Sequence, residues 1–354
     1  MSYHRESDET PEQLVEVWRG SLIESRHRGH LIAVDGSGQT IASLGSPHTV
    51  TFLRSSAKPF QALPVVASGA ADRFGFTEQE VAIACGSHNG ESIHVEAVKS
   101  MLRKIDLDET ALKCGAHEPY SQEVARELIR KGEQPSVLQN NCSGKHAAML
   151  ALVKHIGAPV ETYDEPANPV QQMIFKTVAE FAGVPVKDIV IATDGCGAPI
   201  FAVSVRAMAL MYARLVSPPT EFGAQTRDSC RRIVAAMIRF PEMIGGTTKR
   251  LDTELMRAGR GRFISKIGAE GVYTVGILPS ARWPNGLGLA LKVEDGDDHR
   301  ARPPAVIDAL RQLGVLEAAD LNTLSEYSPT IIRNRRGDRV GEARAAFSLE
   351  IDHS

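Results

Sequence analysis

The chain has 354 residues, 43% of them hydrophobic and 23% charged, with a formal net charge of -3 and an isoelectric point near 6.4. That is globular composition with apolar material for a large core, and the length predicts one elaborate domain or two packed lobes. The slightly acidic balance argues against nucleic acid as the main partner and against a polybasic membrane anchor, which leaves a small soluble substrate.

Residues 1–12 are polar and are expected to be a flexible segment ahead of a single catalytic domain over residues 13–354. No basic stretch followed by an apolar core is read there, so no secretory signal is expected. The five cysteines are odd in number and widely spaced, which suits buried thiols in the cytoplasm. Strand signals begin at residues 30–34, turn at Asp35-Gly36-Ser37-Gly38 and return at residues 40–44 as a hairpin. Residues 50–53 form a third short strand that leads directly into Ser55 and Lys58. The run 81–84, strand-like or buried, ends in the polar loop Cys85-Gly86-Ser87-His88-Asn89-Gly90-Glu91.

The middle of the chain reads as helical. Apolar residues at three- and four-residue spacing predict helices over 92–105, 121–131, 143–156, 169–182 and 221–240, the last stopped by Pro241. One buried strand, residues 188–192, interrupts them and ends in Asp194-Gly195-Cys196-Gly197. The apolar stretch 201–216 is broken by Arg206 and Arg214, so it is not read as a membrane span. Strands return at 263–266, 272–277 and 287–292, a helix follows over 303–313, and a final strand is expected over 342–351. The economical arrangement is an α/β protein. One sheet is built from both termini, about 29–60 and 260–354, with a helical lobe of about 61–259 inserted between. It predicts that Ser55, at the exit of the first strands, and Lys266, on a returning strand, come close enough to meet.

A serine hydroxyl is a weak nucleophile until a base takes its proton. In Ser55-Ser56-Ala57-Lys58 the lysine lies three positions after the first serine, on one face of a helix that starts about there, and Pro59 suits a first turn. Desolvation or a neighbouring cation would lower the pKa of that lysine and make it a base. Chance supplies on the order of one Ser-x-x-Lys in a chain of this length. The plain alternative is a serine that caps the helix and a solvated lysine.

The loop around Ser87 and His88 offers a hydroxyl and backbone donors, or simply a turn at Asn89-Gly90. In Asn140-Asn141-Cys142-Ser143-Gly144-Lys145-His146 and in Asp194-Gly195-Cys196, two thiols stand on loops, and two readings are open: convergence on zinc with a deprotonated lysine, or separate buried cysteines. The pairs Cys85/His88 and Cys114/His117 lack the short knuckle context of a zinc site. No His-Glu-x-x-His, phosphate-cradling glycine loop or Gly-x-Ser-x-Gly elbow is present.

Taken together, Arg54-Ser55-Ser56-Ala57-Lys58-Pro59-Phe60-Gln61, Cys85-Gly86-Ser87-His88, Asn141-Cys142-Ser143-Gly144-Lys145-His146 and Asp194-Gly195-Cys196-Gly197 resemble the asparaginase II-type family, the rhizobial-type L-asparaginases. The motifs follow in the expected order over nearly the whole chain. The resemblance implies a fold similar to serine β-lactamases and glutaminases, a mixed, mainly antiparallel sheet with a helical lobe. It also implies hydrolysis of L-asparagine to L-aspartate and ammonia by a homodimer. Carried over by position, Ser55 is the nucleophile and Lys58 its base, with Ser87 and Lys266 a second serine–lysine pair. Cys142, Lys145 and Cys196 match a zinc site, and Arg54, Asp194, His88 and Asn89 are the expected substrate-binding residues.

The competing readings are a glutaminase and a non-catalytic zinc-binding scaffold. A penicillin-binding protein or β-lactamase is disfavoured by the missing Ser-Asp-Asn and Lys-Thr-Gly motifs. A threonine nucleophile at Thr247-Thr248 or Thr193 rests on short fragments that fit a loop as well.

Overall fold

The computed structural model describes residues 10–352. In chain order the elements are β1 (Glu12–Arg19), β2 (Leu22–Asp35), β3 (Thr40–Leu44), β4 (Val50–Phe52), α1 (Lys58–Ala67), α2 (Ala70–Arg73), α3 (Glu78–Ala84), α4 (Ser92–Lys104), α5 (Gln122–Lys131), α6 (Ser143–Ile156) and α7 (Pro169–Ala182). They continue with β5 (Val190–Thr193), β6 (Pro199–Ser204), α8 (Val205–Val216), α9 (Ala224–Arg239), α10 (Pro241–Ile244), α11 (Leu251–Gly259), β7 (Phe263–Ile267), β8 (Val272–Ile277) and β9 (Leu287–Val293). The last are α12 (Arg302–Gln312), α13 (Ala318–Thr323), β10 (Thr330–Arg333) and β11 (Arg339–Ala345). The chain divides into two compact units, one of residues 1–53, 202–217 and 258–354, the other of residues 54–201 and 218–257.

The first unit is the sheet expected from both termini. Its order is β10-β11-β1-β2-β9-β8-β7, with β3 also on β2, and the ladders β1–β11, β1–β2, β2–β9, β7–β8 and β8–β9 are antiparallel. The centre is continuously buried: every residue of β8 is buried, and so is nearly all of β9 and the second half of β2. Helix α8 lies against this face where Gly276 and Gly288 pair across β8 and β9. A Cβ at Gly288 would sit 1.7 Å from the Ala209 carbonyl oxygen, and one at Gly276 2.7 Å from Val216. The paired glycines therefore allow backbone-to-backbone approach that no other residue permits.

The second unit is helical around α6, whose residues from Ser143 through Val153 are all buried. A helix buried on every side in this way belongs at the centre of a lobe. Gly144 lets its first turn meet the end of α3, since a Cβ there would come 2.6 Å from the Ile83 carbonyl oxygen. Phe60 on α1 and Phe181 on α7 pack with ring centroids 5.4 Å apart, and Phe222 adds a third ring 4.8 Å from Phe181.

Several local expectations change. The looseness expected of residues 1–9 falls outside the described residues, while Glu12 already opens β1. β1 and the first half of β2 were not expected as strands, because their outward residues (Glu12, Glu16, Arg19, Glu24, Arg26) leave no apolar run to detect. The run 81–84 is helix α3, held at its start by a capping box in which Thr77 and Glu80 satisfy each other's backbone N–H. β5 is not buried: its residues are half-buried or exposed, with Ile191 at 38% exposure. The final strand ends at Ala345 instead of running through Ile351.

Candidate active site

Arg54, Ser55, Ser56 and Ala57 form a 3-10 turn, and α1 begins only at Lys58. Ser55 therefore precedes the helix, and its side of the turn is half-buried, whereas Lys58 is 1% exposed. The Lys58 amine reaches out of α1 to three oxygens: the Gly86 carbonyl at 2.6 Å, the Asn141 carbonyl at 3.0 Å and the Ser87 hydroxyl at 2.9 Å. Among the described hydrogen bonds of Lys58, none runs to Ser55. Burial holds the Lys58 pKa below its usual value; the neighbouring Cys142 opposes this and Lys145 reinforces it. The first turn of α1 contributes the positive end of a helix dipole on the same side.

Ser87 follows directly from α3. Gly86 is required in between, because a Cβ there would lie 2.4 Å from the Met243 carbonyl oxygen. The Ser87 N–H donates to the Ile244 carbonyl at 2.7 Å. His88, fully buried, accepts from the Gly90 N–H on Nδ1 and donates from Nε2 to the Ser143 hydroxyl at 3.0 Å. That fixes the neutral tautomer, in keeping with burial pushing its pKa well below the ordinary value. The Asn89 side chain is held at both ends, giving its amide N–H to Glu91 and receiving Arg250 on its oxygen. Both residues thus shape the loop that carries Ser87.

The two cysteine loops do converge. Asn140 accepts the Cys142 N–H at 2.7 Å and donates to the carbonyls of Cys114 and Gly115, forming the turn that starts α6. Cys142 and Lys145 then share one face of α6. On the other side, a tight turn closed by the Asp194 N–H on the Ala198 carbonyl, with Gly197 at φ 85°, presents Asp194 and Cys196 together. Lys145 Nζ donates to Cys196 Sγ at 3.1 Å.

The thiols are electrostatically unequal. A hydrogen bond from Cys142 draws the Cys196 pKa down to about 5, and Cys142 itself, donating and buried, is pushed up to about 12. For Lys145, burial works against charge, but the sulfurs of Cys196 and Cys142 outweigh it and the amine stays protonated. Asp194 is partly desolvated, yet Lys145 and Arg54 hold its carboxyl below the usual range. Arg54, in the left-handed region at φ 51°, pairs with Asp194 at 2.9 Å.

The ligand atoms of Cys142, Asp194 and Cys196 lie within 4.8 Å of one another, the one such grouping of His, Cys, Asp or Glu found among the described residues. A set of one thiolate, one thiol and one carboxylate fits a thiophilic divalent ion such as zinc, whose charge would release the Cys142 proton and also one from Lys145 if the amine joined it. Cys142, Lys145 and Cys196 thus lie together, with Asp194, expected from the sequence as a substrate contact, beside them.

Lys266 belongs to the sheet unit, fully buried on β7, with Nζ donating to the Ile267 carbonyl at 3.0 Å. Thr247 uses its main chain, its N–H on the Glu91 carboxylate at 3.2 Å and its carbonyl accepting from Arg257. Sequence reasoning missed Arg250, which donates to the Ser87 carbonyl at 2.8 Å across 163 positions of chain. It also missed Asn141, which acts through a backbone oxygen that no side-chain pattern advertises.

A model of the family described as L-asparaginase II matches residues 15–345. No curated protein matches the chain. Among solved structures, Mglu in its native form is 14% identical over 80% of this chain, with a TM-score of 0.44. This chain spans 63% of that protein's length. A probable glutaminase from Bacillus subtilis complexed with 6-diazo-5-oxo-L-norleucine is 12% identical, covering 81% of this chain and 84% of its own, at a TM-score of 0.42. A Bacillus glutaminase determined in concentrated salt is 12% identical over 81% and 91% of the two chains, at 0.40.

Proposed function

The chain belongs to the L-asparaginase II family, and from that premise we propose that it hydrolyses the side-chain amide of L-asparagine to L-aspartate and ammonia with a serine nucleophile and Lys58 as its base. The observation that carries this reading is the 2.9 Å contact between the buried Lys58 amine and the Ser87 hydroxyl. A neutral amine has two N–H donors and one lone pair. Its donors match the carbonyls of Gly86 and Asn141, and its lone pair then faces the Ser87 O–H. After proton transfer the ammonium has three donors for the same three oxygens. The proton can therefore move from Ser87 to Lys58 while the nitrogen stays in place, which keeps reorganisation small.

In this scheme the serine oxygen attacks the amide carbon, and Lys58 takes its proton and returns it to the departing ammonia. Water then releases aspartate from the ester, with Lys58 again as base. The Arg54–Asp194 ion pair offers both charges needed by the carboxylate and ammonium of a free amino acid. Cys142, Cys196 and Lys145, with Asp194 beside them, would hold zinc, which would supply a Lewis-acid position for orienting substrate.

A second reading has Ser55 as nucleophile. It is favoured by exposure, since Ser55 is half-buried while Ser87 is 2% exposed. Ammonia release from L-asparagine and L-glutamine by wild type, Ser55→Ala and Ser87→Ala tests both. The proposal expects Ser87→Ala to lose about 1,000-fold or more in kcat. A far larger loss in Ser55→Ala moves the attack to Ser55, and full activity in both variants ends the serine mechanism. Discrimination against the one-methylene-longer glutamine is expected at about 10–200-fold in kcat/KM.

A further inference from the structure

Arg250 stands at the junction between the segment following α10 and the loop that carries Ser87, and its side chain is 14% exposed. One guanidinium nitrogen donates to the Ser87 carbonyl at 2.8 Å and the other to the Asn89 side-chain oxygen. The guanidinium also lies 5.8 Å from the Tyr120 ring centroid. Further contacts on either side of it join α10 and the segment after it to the Ser87 loop and the start of α4. The Ser87 N–H donates to the Ile244 carbonyl, the Thr247 N–H meets the Glu91 carboxylate, and His94 Nε2 bonds the Glu242 carbonyl at 2.9 Å. Gly246 permits the approach, since a Cβ there would fall 2.2 Å from the Asn89 amide nitrogen.

We infer that Arg250 is a positioning residue, whose two-pronged grip on the Ser87 carbonyl and the Asn89 side chain sets the Ser87 hydroxyl against Lys58. The inference rests on the reading of Ser87 and Lys58 as a working pair. A planar fork can hold two acceptors at fixed separation, and the flexible ammonium of lysine holds them less well. Removing both donors frees the loop to shift, and misplacement of a reacting group by about 1 Å costs on the order of 100-fold in rate. Because Arg250 acts through Ser87, the loss falls on kcat and leaves substrate binding in place.

The test uses wild type, Arg250→Met and Arg250→Lys, the last guarding against a methionine variant that does not fold. Two readouts are taken: kcat and KM for ammonia release from L-asparagine, and amide hydrogen exchange of residues 86–91. The expected result is a kcat about 100-fold lower in Arg250→Met, partial recovery in Arg250→Lys, KM changed by no more than about threefold, and faster exchange across residues 86–91 in both. A raised KM with unchanged kcat would make Arg250 a substrate contact and overturn the inference, as would unchanged exchange in both variants. If wild type releases no ammonia while the variants still loosen residues 86–91, the clamp stands and the asparaginase reading falls.

Discussion

Lys58 meets three oxygen acceptors with an amine whose pKa burial holds below its ordinary value of 10.5. That shift is also a statement about stability. A lysine whose folded pKa lies below its unfolded one costs stability while protonated; the penalty is full below the folded value and vanishes as pH rises past the unfolded value. Wild type should therefore gain stability relative to Lys58→Met as pH climbs toward about 10.5. Thermal melts of both proteins between neutral pH and that limit check this, and a constant difference would mean that the amine is not strained by burial. The acid limb of kcat/KM should report the same group, with activity rising as Lys58 loses its proton.

At the sulfurs, Cys196→Ser should reduce bound zinc by an order of magnitude or more, measured by metal analysis of the purified protein, whereas Cys230→Ser, a buried thiol on α9, should leave it unchanged. The residue types for this chemistry were legible in the sequence: Ser87, Lys58, Cys142 and Cys196 all stand in motifs. Their partners were not. Whether Lys58 faces Ser55 or Ser87 depends on where the 3-10 turn gives way to α1, and spacing cannot fix that within a residue or two.

Elements decide how these residues are presented. Helices of the second unit were readable because their apolar content runs over many residues, as in α6 and α7. Short α3 was not, since seven residues of Glu-Gln-Glu-Val-Ala-Ile-Ala hold too little periodicity to separate a buried helix from a buried strand. In the sheet, the strands with continuous apolar runs were found and the charged β1 was missed. The glycine pair that seats α8 was likewise silent, because nothing in the sequence tells a packing glycine from a turn glycine. Gly288→Ala should destabilise the protein by roughly 3 kcal/mol, from forced backbone displacement at the Ala209 carbonyl. Chemical denaturation would show a lower midpoint, and an unchanged midpoint would mean that α8 can lift without cost.

At the scale of the whole molecule, the chain divides into two compact units. The sheet unit draws on both chain termini, as the distribution of strand signals predicted. The helical unit contains the serine–lysine contact, the cysteine pair and the Arg54–Asp194 ion pair together, so the most informative chemistry lies within one body of packed helices. No described helix is long and apolar enough to cross a membrane. Family membership is the ground for the proposed amide substrate, and the Lys58–Ser87 contact is the ground for the proposed serine attack. The most direct test is an acid quench of wild type and Lys58→Met during turnover of L-asparagine, followed by peptide mapping. An aspartyl ester on Ser87, or on Ser55 under the second reading, is expected in wild type and is lost in Lys58→Met. Steady ammonia release with no serine ester, or an ester undiminished without Lys58, would contradict it.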